Sequence, residues 1–136
     1  HQKESRKNPS KYNFIVFGLT MDREKLYERI NQRVDMMIEK GLVQEVKKLI
    51  EMGYDKSTIA MQGIGYKEIL SYLKGEISFD EAVYVLKRNS RRYAKRQFTW
   101  FNRMKDIYWI NLDQTSDIQE IIKNIKDVIA TSGIIL

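Results

Sequence analysis

Residues 78–105 read SFDEAVYVLKRNSRRYAKRQFTWFNRMK. Ser78 followed three residues later by Glu81 is a capping box, so a helix starts here. At about 100° per residue its side chains divide into two halves. Ala82, Val83, Leu86, Tyr93, Ala94, Trp100 and Phe101 share one half, while Lys87, Arg88, Arg91, Arg92, Lys95, Arg96 and Arg103 share the other. The apolar half needs a core to lie against, and the rest of the chain must supply it.

Upstream, Tyr12 to Leu19 (YNFIVFGL) is a short aromatic and β-branched run, apolar on both faces from Phe14 to Phe17, which predicts a buried sheet strand. From Thr20 the period becomes helical. Thr20 or Asp22 serves as a cap, Asp22 and Glu24 fall in the first turn, and Leu26, Ile30, Val34, Met37 and Ile38 form one stripe before Gly41 ends the helix. A second helix runs from Leu42, with Val43, Val46, Leu49 and Ile50 inward, to the stop at Gly53. Ser57 is a candidate cap for a short turn, and Tyr66 to Lys74 reads as a further helix ended by Gly75. Between them Gly63 and Gly65 each lower helix propensity by roughly 1 kcal/mol, so the backbone bends or approaches something there. Downstream, Ile107 to Leu112 (IYWINL) predicts a second buried strand, and Asp117 to Ala130 an amphipathic helix with Ile118, Ile121, Ile122, Ile125 and Ile129 inward.

The stretch from Lys87 to Lys105 holds eight basic side chains and no acid in nineteen positions. The formal charge of the whole chain is +6, so the remainder sums to about −2 and the basicity is local. Solvated helix faces normally alternate in sign, because like charges at i,i+4 repel by a few tenths of a kcal/mol. Lys87/Arg91, Arg88/Arg92, Arg91/Lys95 and Arg92/Arg96 accumulate that repulsion with no acid in the stretch to relieve it. Such a face calls for a polyanion, and the excess of arginine over lysine favours bidentate phosphate contacts. Nucleic acid is the leading partner. Tyr93, Trp100 and Phe101 lie on the apolar half and are expected in the core, which leaves Phe98 near the basic border. An interfacial membrane helix does not fit between capped neighbours and two buried-type strands.

At 136 residues the chain is about one domain long, with a modest core. It has no cysteine and one histidine, at position 1, which excludes disulfides, thiolate metal sites and most histidine chemistry. No run of eighteen apolar residues and no signal-peptide pattern occurs, so neither membrane insertion nor secretion is expected, and a cytoplasmic setting is. The polar opening HQKESRKNPSK, residues 1–11, is expected to be a flexible leader of a chain that starts partway through something longer. GxxxxGK[ST], GxGxxG and HExxH are all absent. Lys67 beside Glu68 reads as an ordinary surface pair. Arg29 and Arg33, one helical turn apart, could clamp an anionic group or pair with Asp35 or Glu28.

Three blocks carry a resemblance: LYERINQRVDMMIEKGLVQEVKKLIEMG (26–53), QGIGYKEILSYLKGEISFDEAV (62–83) and KRNSRRYAKRQFTWFNR (87–103). In this order and spacing they resemble the C-terminal part of the bacterial tRNA dimethylallyltransferases, over a match from about Phe17 to Leu112. The AKRQ-T-W segment is the most distinctive. The resemblance implies transfer of a dimethylallyl group from dimethylallyl diphosphate to N6 of the adenosine 3′ of the tRNA anticodon, releasing pyrophosphate, with Mg²⁺. It implies an α/β fragment, mostly helical with two strands, from a P-loop-like parallel-sheet fold whose N-terminal portion is absent. That portion would carry the phosphate-binding loop, the Asp general base, a Thr at the diphosphate, the Mg²⁺ site and a tRNA-gripping helical insertion.

Carried over residue by residue, the resemblance implies that Arg33, supported by Arg29, meets the donor diphosphate. Gln62, Gly63, Ile64, Gly65, Tyr66 and Lys67 would lie against the tRNA anticodon stem-loop, with small residues admitting the backbone. Lys87, Arg88, Arg91, Arg92, Lys95 and Arg96 would meet stem phosphates or line the reaction channel. The fragment is expected to be inactive alone. Its two exposed strand edges are expected to drive self-association or leave it marginally stable. Two function classes stay open: part of a transferase, or a stand-alone RNA-binding helical module without catalytic activity.

Overall fold

The computed structural model describes residues 13–115 and 117–133; the expected leader over 1–11 and Tyr12 lie outside the described residues. The chain divides into two compact units, residues 23–103 and the flanking segments on either side.

The flanking unit contains the strands. β1 (Val16–Thr20) pairs with β2 (Ile107–Asn111) in parallel, with Val16 opposite Ile107 and Thr20 opposite Asn111. Gly18 lies opposite Trp109, and a Cβ there would come within 2.6 Å of the indole ring, so glycine admits the tryptophan. Phe17 and Tyr108 meet edge to face at 5.8 Å. Ile110 is buried. Both strands were expected to be buried on both faces, yet they are mostly half-buried and Leu19 and Tyr108 are exposed. A sheet of two strands cannot cover both of its own faces. β1 also starts four residues later than Tyr12.

α5 (Ile118–Thr131) is capped by Asp117, whose carboxylate accepts a hydrogen bond from Gln119 N at 3.0 Å. Its isoleucine stripe was expected inward. Ile121, Ile125 and Ile129 are half-buried, Ile118 and Ile122 are exposed, and no residue of the helix is fully buried. The amphipathic stripe is present, but two strands offer too little apolar surface to cover it.

The central unit is helical: α1 (Arg23–Glu39), α2 (Leu42–Glu51), a 3₁₀ turn (Ile59–Gln62), α3 (Tyr66–Leu73) and α4 (Phe79–Phe101). Val34, Leu42, Val46, Met61, Ile69, Leu70 and Leu86 form its core, bordered by Met37, Ile38, Val43, Leu49, Tyr66, Leu73 and Val83. Gly41 reverses the chain between α1 and α2 with φ +100°, a conformation that costs other residues about 1–2 kcal/mol. Ser78 Oγ accepts from Glu81 N at 3.1 Å, which makes it the cap of α4. The cap position of the 3₁₀ turn is held by Thr58, not Ser57. Ser57 instead gives its backbone N–H and hydroxyl to Asp55 Oδ1, at 2.8 and 2.6 Å, and that hydrogen bond holds the Asp55 carboxyl below its ordinary range.

α4 buries Ala82 and Leu86, whereas Tyr93, Trp100 and Phe101, expected in the core, are exposed. At 23 residues the helix is about 35 Å long. Its contacts to α1 run antiparallel, Lys87 to Asp35 and Arg91 to Asn31, and α1 begins at Arg23. By that offset the start of α1 lies opposite the last turn of α4, so Trp100 and Phe101 sit at the very end of the helix pair.

Candidate phosphate and nucleic-acid interface

The segment from Gln62 to Lys67 is fixed from three sides. Gln62 Nε2 donates to Lys56 O at 3.1 Å. Gly65 has φ +106° and is buried, so its own backbone conformation selects glycine. Gly63 has ordinary dihedrals, but a Cβ there would lie 3.1 Å from Ala60 O. Tyr66 OH makes a short hydrogen bond to Glu45 Oε1 on α2. That bond, then burial, then the Glu45 charge hold the phenol above its ordinary range. Ile64 and Lys67 are exposed on the same segment.

Glu68 is the residue that sequence reasoning placed wrongly. Read as a surface partner of Lys67, it is 3% exposed. Its Oε2 accepts from Gly65 N at 2.9 Å, and its Oε1 accepts from Asn89 Nδ2 of α4 at 2.7 Å, with Lys67 Nζ at 3.8 Å. One buried carboxylate thus joins the glycine segment to the helix that carries the basic face. The available signal was Gly65-x-x-Glu68, a helix start whose N3 glutamate reaches back to the cap N–H while glycine offers no side chain in return.

The basic face of α4 divides by environment. Lys87 is ion-paired with Asp35 at 2.6 Å and Arg91 donates to Asn31 Oδ1 at 2.6 Å, so both help dock α4 on α1. Arg88 is half-buried, lies 6.0 Å from the Tyr84 ring centroid, and has a buried Nε without a hydrogen-bond partner among the described residues. Arg92, Lys95 and Arg96 are exposed, and no carboxylate pairs with them among the described residues. Lys95 and Arg96 line a shallow pocket of about 270 Å³ together with Thr99, Trp100 and Arg103. The last three are residues that the sequence reading did not assign to the site.

Arg29 and Arg33 are both exposed, and neither pairs with Asp35, which is taken by Lys87, or with Glu28. On the α1 wheel they lie roughly 160° from Asn31 and Asp35. The structure therefore does not bring this pair together with the α4 face. No group of three or more His, Cys, Asp and Glu side chains that could hold a metal ion gathers among the described residues. No helix among them is long and apolar enough to cross a membrane.

Exposed cations on α4 and a glycine-bent segment tied to that helix through Glu68 are thus features of one helical unit. The IPP transferase family model matches residues 1–104, and the chain belongs to that family. It is 68% identical over its whole length to the tRNA dimethylallyltransferase of Acetivibrio thermocellus, of which it covers 44%. Over 122 residues it is 58% identical to that of Clostridioides difficile, covering 39%. Among solved structures it is similar to the tRNA isopentenylpyrophosphate transferase of Bacillus halodurans, at TM-score 0.83 and 44% identity. The corresponding values for that of Staphylococcus epidermidis are 0.86 and 40%. In both, 96% of this chain covers 42% of the other. The chain thus spans less than half the length of these relatives. Membership supports the transferase class over the stand-alone module.

Proposed function

We propose that this chain is the C-terminal part of a tRNA dimethylallyltransferase of P-loop-like α/β fold, and that its helical unit meets tRNA with the cationic face of α4 and the donor diphosphate with Arg29 and Arg33 on a separate face of α1. The observation that supports this reading most is the exposed set Arg92, Lys95 and Arg96, with no carboxylate partner among the described residues, in a family whose named members are tRNA dimethylallyltransferases. The anticodon stem-loop phosphates neutralise these side chains, and release of counterions from the RNA drives binding. Gln62 to Lys67 lies against the same RNA, held in place by Glu68. Lys87, Arg88 and Arg91 belong to the same cationic face, and Lys87 and Arg91 also hold α4 on α1.

Cleavage of the carbon–oxygen bond of an allylic diphosphate builds negative charge on the departing pyrophosphate. A fixed guanidinium stabilises that charge more in the transition state than in the ground state. Arg33, with Arg29 one turn away, takes this role, and their exposure leaves them open to the donor. The N6 of the adenosine 3′ of the anticodon is the acceptor. Mg²⁺ and the general base come from outside the described residues. The setting is cytoplasmic, where the tRNA is.

The test is turnover. The complete protein, given dimethylallyl diphosphate and an anticodon stem-loop, yields the N6-modified adenosine and pyrophosphate, and Arg33→Ala lowers kcat by roughly 10²–10³, the scale for removing one oriented donor. No modified nucleoside from the complete protein would reject the reading. Turnover by residues 1–136 alone would overturn the division of labour.

A further inference from the structure

Four side chains on the last two turns of α4, Lys95, Arg96, Thr99 and Trp100, lie at the i and i+4 spacings that make helix neighbours, and Arg103 follows just beyond the end of the helix. They line the 270 Å³ pocket described above. Its floor is unusual for a solvated helix end. Trp100 is 60% exposed, although burying such a ring is among the most favourable uses of a side chain. Its indole is braced by Phe101, edge to face at 5.0 Å and 81°, so the plane is held without being covered. Arg96 lies over the Tyr93 ring at 5.8 Å, which restrains the guanidinium beside the pocket. The Thr99 hydroxyl donates to Lys95 O at 2.9 Å and so fixes the pocket wall.

We propose that this pocket is a stacking site for one unpaired nucleotide, with the base against the Trp100 indole and its phosphate among Lys95, Arg96 and Arg103. The inference rests on the RNA reading above and assigns it a second, phosphate-independent contact. Single-stranded nucleic acid is held by cationic grooves that carry exposed aromatic platforms, because every base has a face to stack. A duplex keeps its base faces hidden, so the same cations would meet its phosphates while Trp100 met nothing. An acidic peptide would satisfy the cations but has no planar group for the ring. The pocket is shallow and at the small end for ligand sites, which suits a single base, not a longer apolar segment.

The experiment uses the complete protein and two RNAs of equal length, an anticodon stem-loop and a fully paired duplex, followed by fluorescence anisotropy. Trp100→Ala weakens stem-loop binding about tenfold or more and duplex binding less than about twofold. Trp100→Phe retains most of the stem-loop affinity, which also controls for folding, and Lys95→Ala with Arg103→Ala weakens both RNAs. Equal losses for the two RNAs with Trp100→Ala, or a Trp100→Leu variant as good as Trp100→Phe, overturns the stacking site and leaves the phosphate reading standing. Failure of the unaltered protein to bind either RNA overturns both.

Discussion

Replacing Glu68 by alanine tests how the glycine segment is joined to α4. The carboxylate is 3% exposed and accepts from Gly65 N at 2.9 Å and Asn89 Nδ2 at 2.7 Å. Glu68→Ala leaves both donors without an acceptor, at about 1–3 kcal/mol each. The total, roughly 2–6 kcal/mol, is a large fraction of the 5–15 kcal/mol by which domains are stable. At roughly 4–8 °C per kcal/mol for a unit of this size, Tm falls by at least about 8 °C. Glu68→Gln keeps the volume and one acceptor but turns an NH₂ group on the other donor, so its loss is smaller, about 1–3 kcal/mol. Urea unfolding gives both values, and a cycle with Asn89→Ala gives the pair term, expected at about 0.5–3 kcal/mol. A Glu68→Ala protein within about 0.5 kcal/mol of the parent would refute the bridge, as would strictly additive changes in the cycle.

Tyr66 gives a pH dependence. Its phenol is held above the ordinary value, first by the hydrogen bond to Glu45, so the stabilisation is complete below about pH 10 and is lost as pH rises through the folded value. The stability gap between the parent and Tyr66→Phe should stay constant through neutral pH and close at alkaline pH, measured by urea unfolding at each pH. Gly65→Ala places a Cβ at φ +106°, with Met37 Cε no closer than 3.9 Å, so backbone strain alone should cost about 1–2 kcal/mol in the same assay. Lys87→Ala removes an ion pair to a half-exposed Asp35 and should cost no more than about 1 kcal/mol.

The helices were legible because their caps and stops are local chemistry: Ser78 before Glu81, Gly41 after the α1 stripe, Asp117 ahead of α5. The two strands were legible as apolar runs, and their parallel pairing agrees with the sheet expected from the family resemblance. Burial was less legible. Trp100 and Phe101 lie on the apolar half of the wheel, but a wheel does not show where a neighbouring helix ends, and α1 gives out within the last turn of α4. The isoleucines of α5 were misjudged for the same reason, since periodicity reports a face and not what covers it. The cationic face was visible as composition, while its division into docking residues and free residues was not. Asp35 and Asn31 are more than fifty positions from their α4 partners. Glu68 was missed because a Lys beside a Glu looks like a surface pair until its partner 21 residues away is known.

The central claim is that RNA phosphates neutralise Arg92, Lys95 and Arg96, which no carboxylate pairs with among the described residues. Binding of an anticodon stem-loop to the complete protein, measured across salt concentrations with all three changed to alanine, tests it most directly. Each lost phosphate contact lowers the slope of log affinity against log salt by about 0.7–0.9, so the triple variant should lose about 2 while its Tm stays near that of the parent. An unchanged slope and affinity would mean that the face meets no polyanion, and the account would fail.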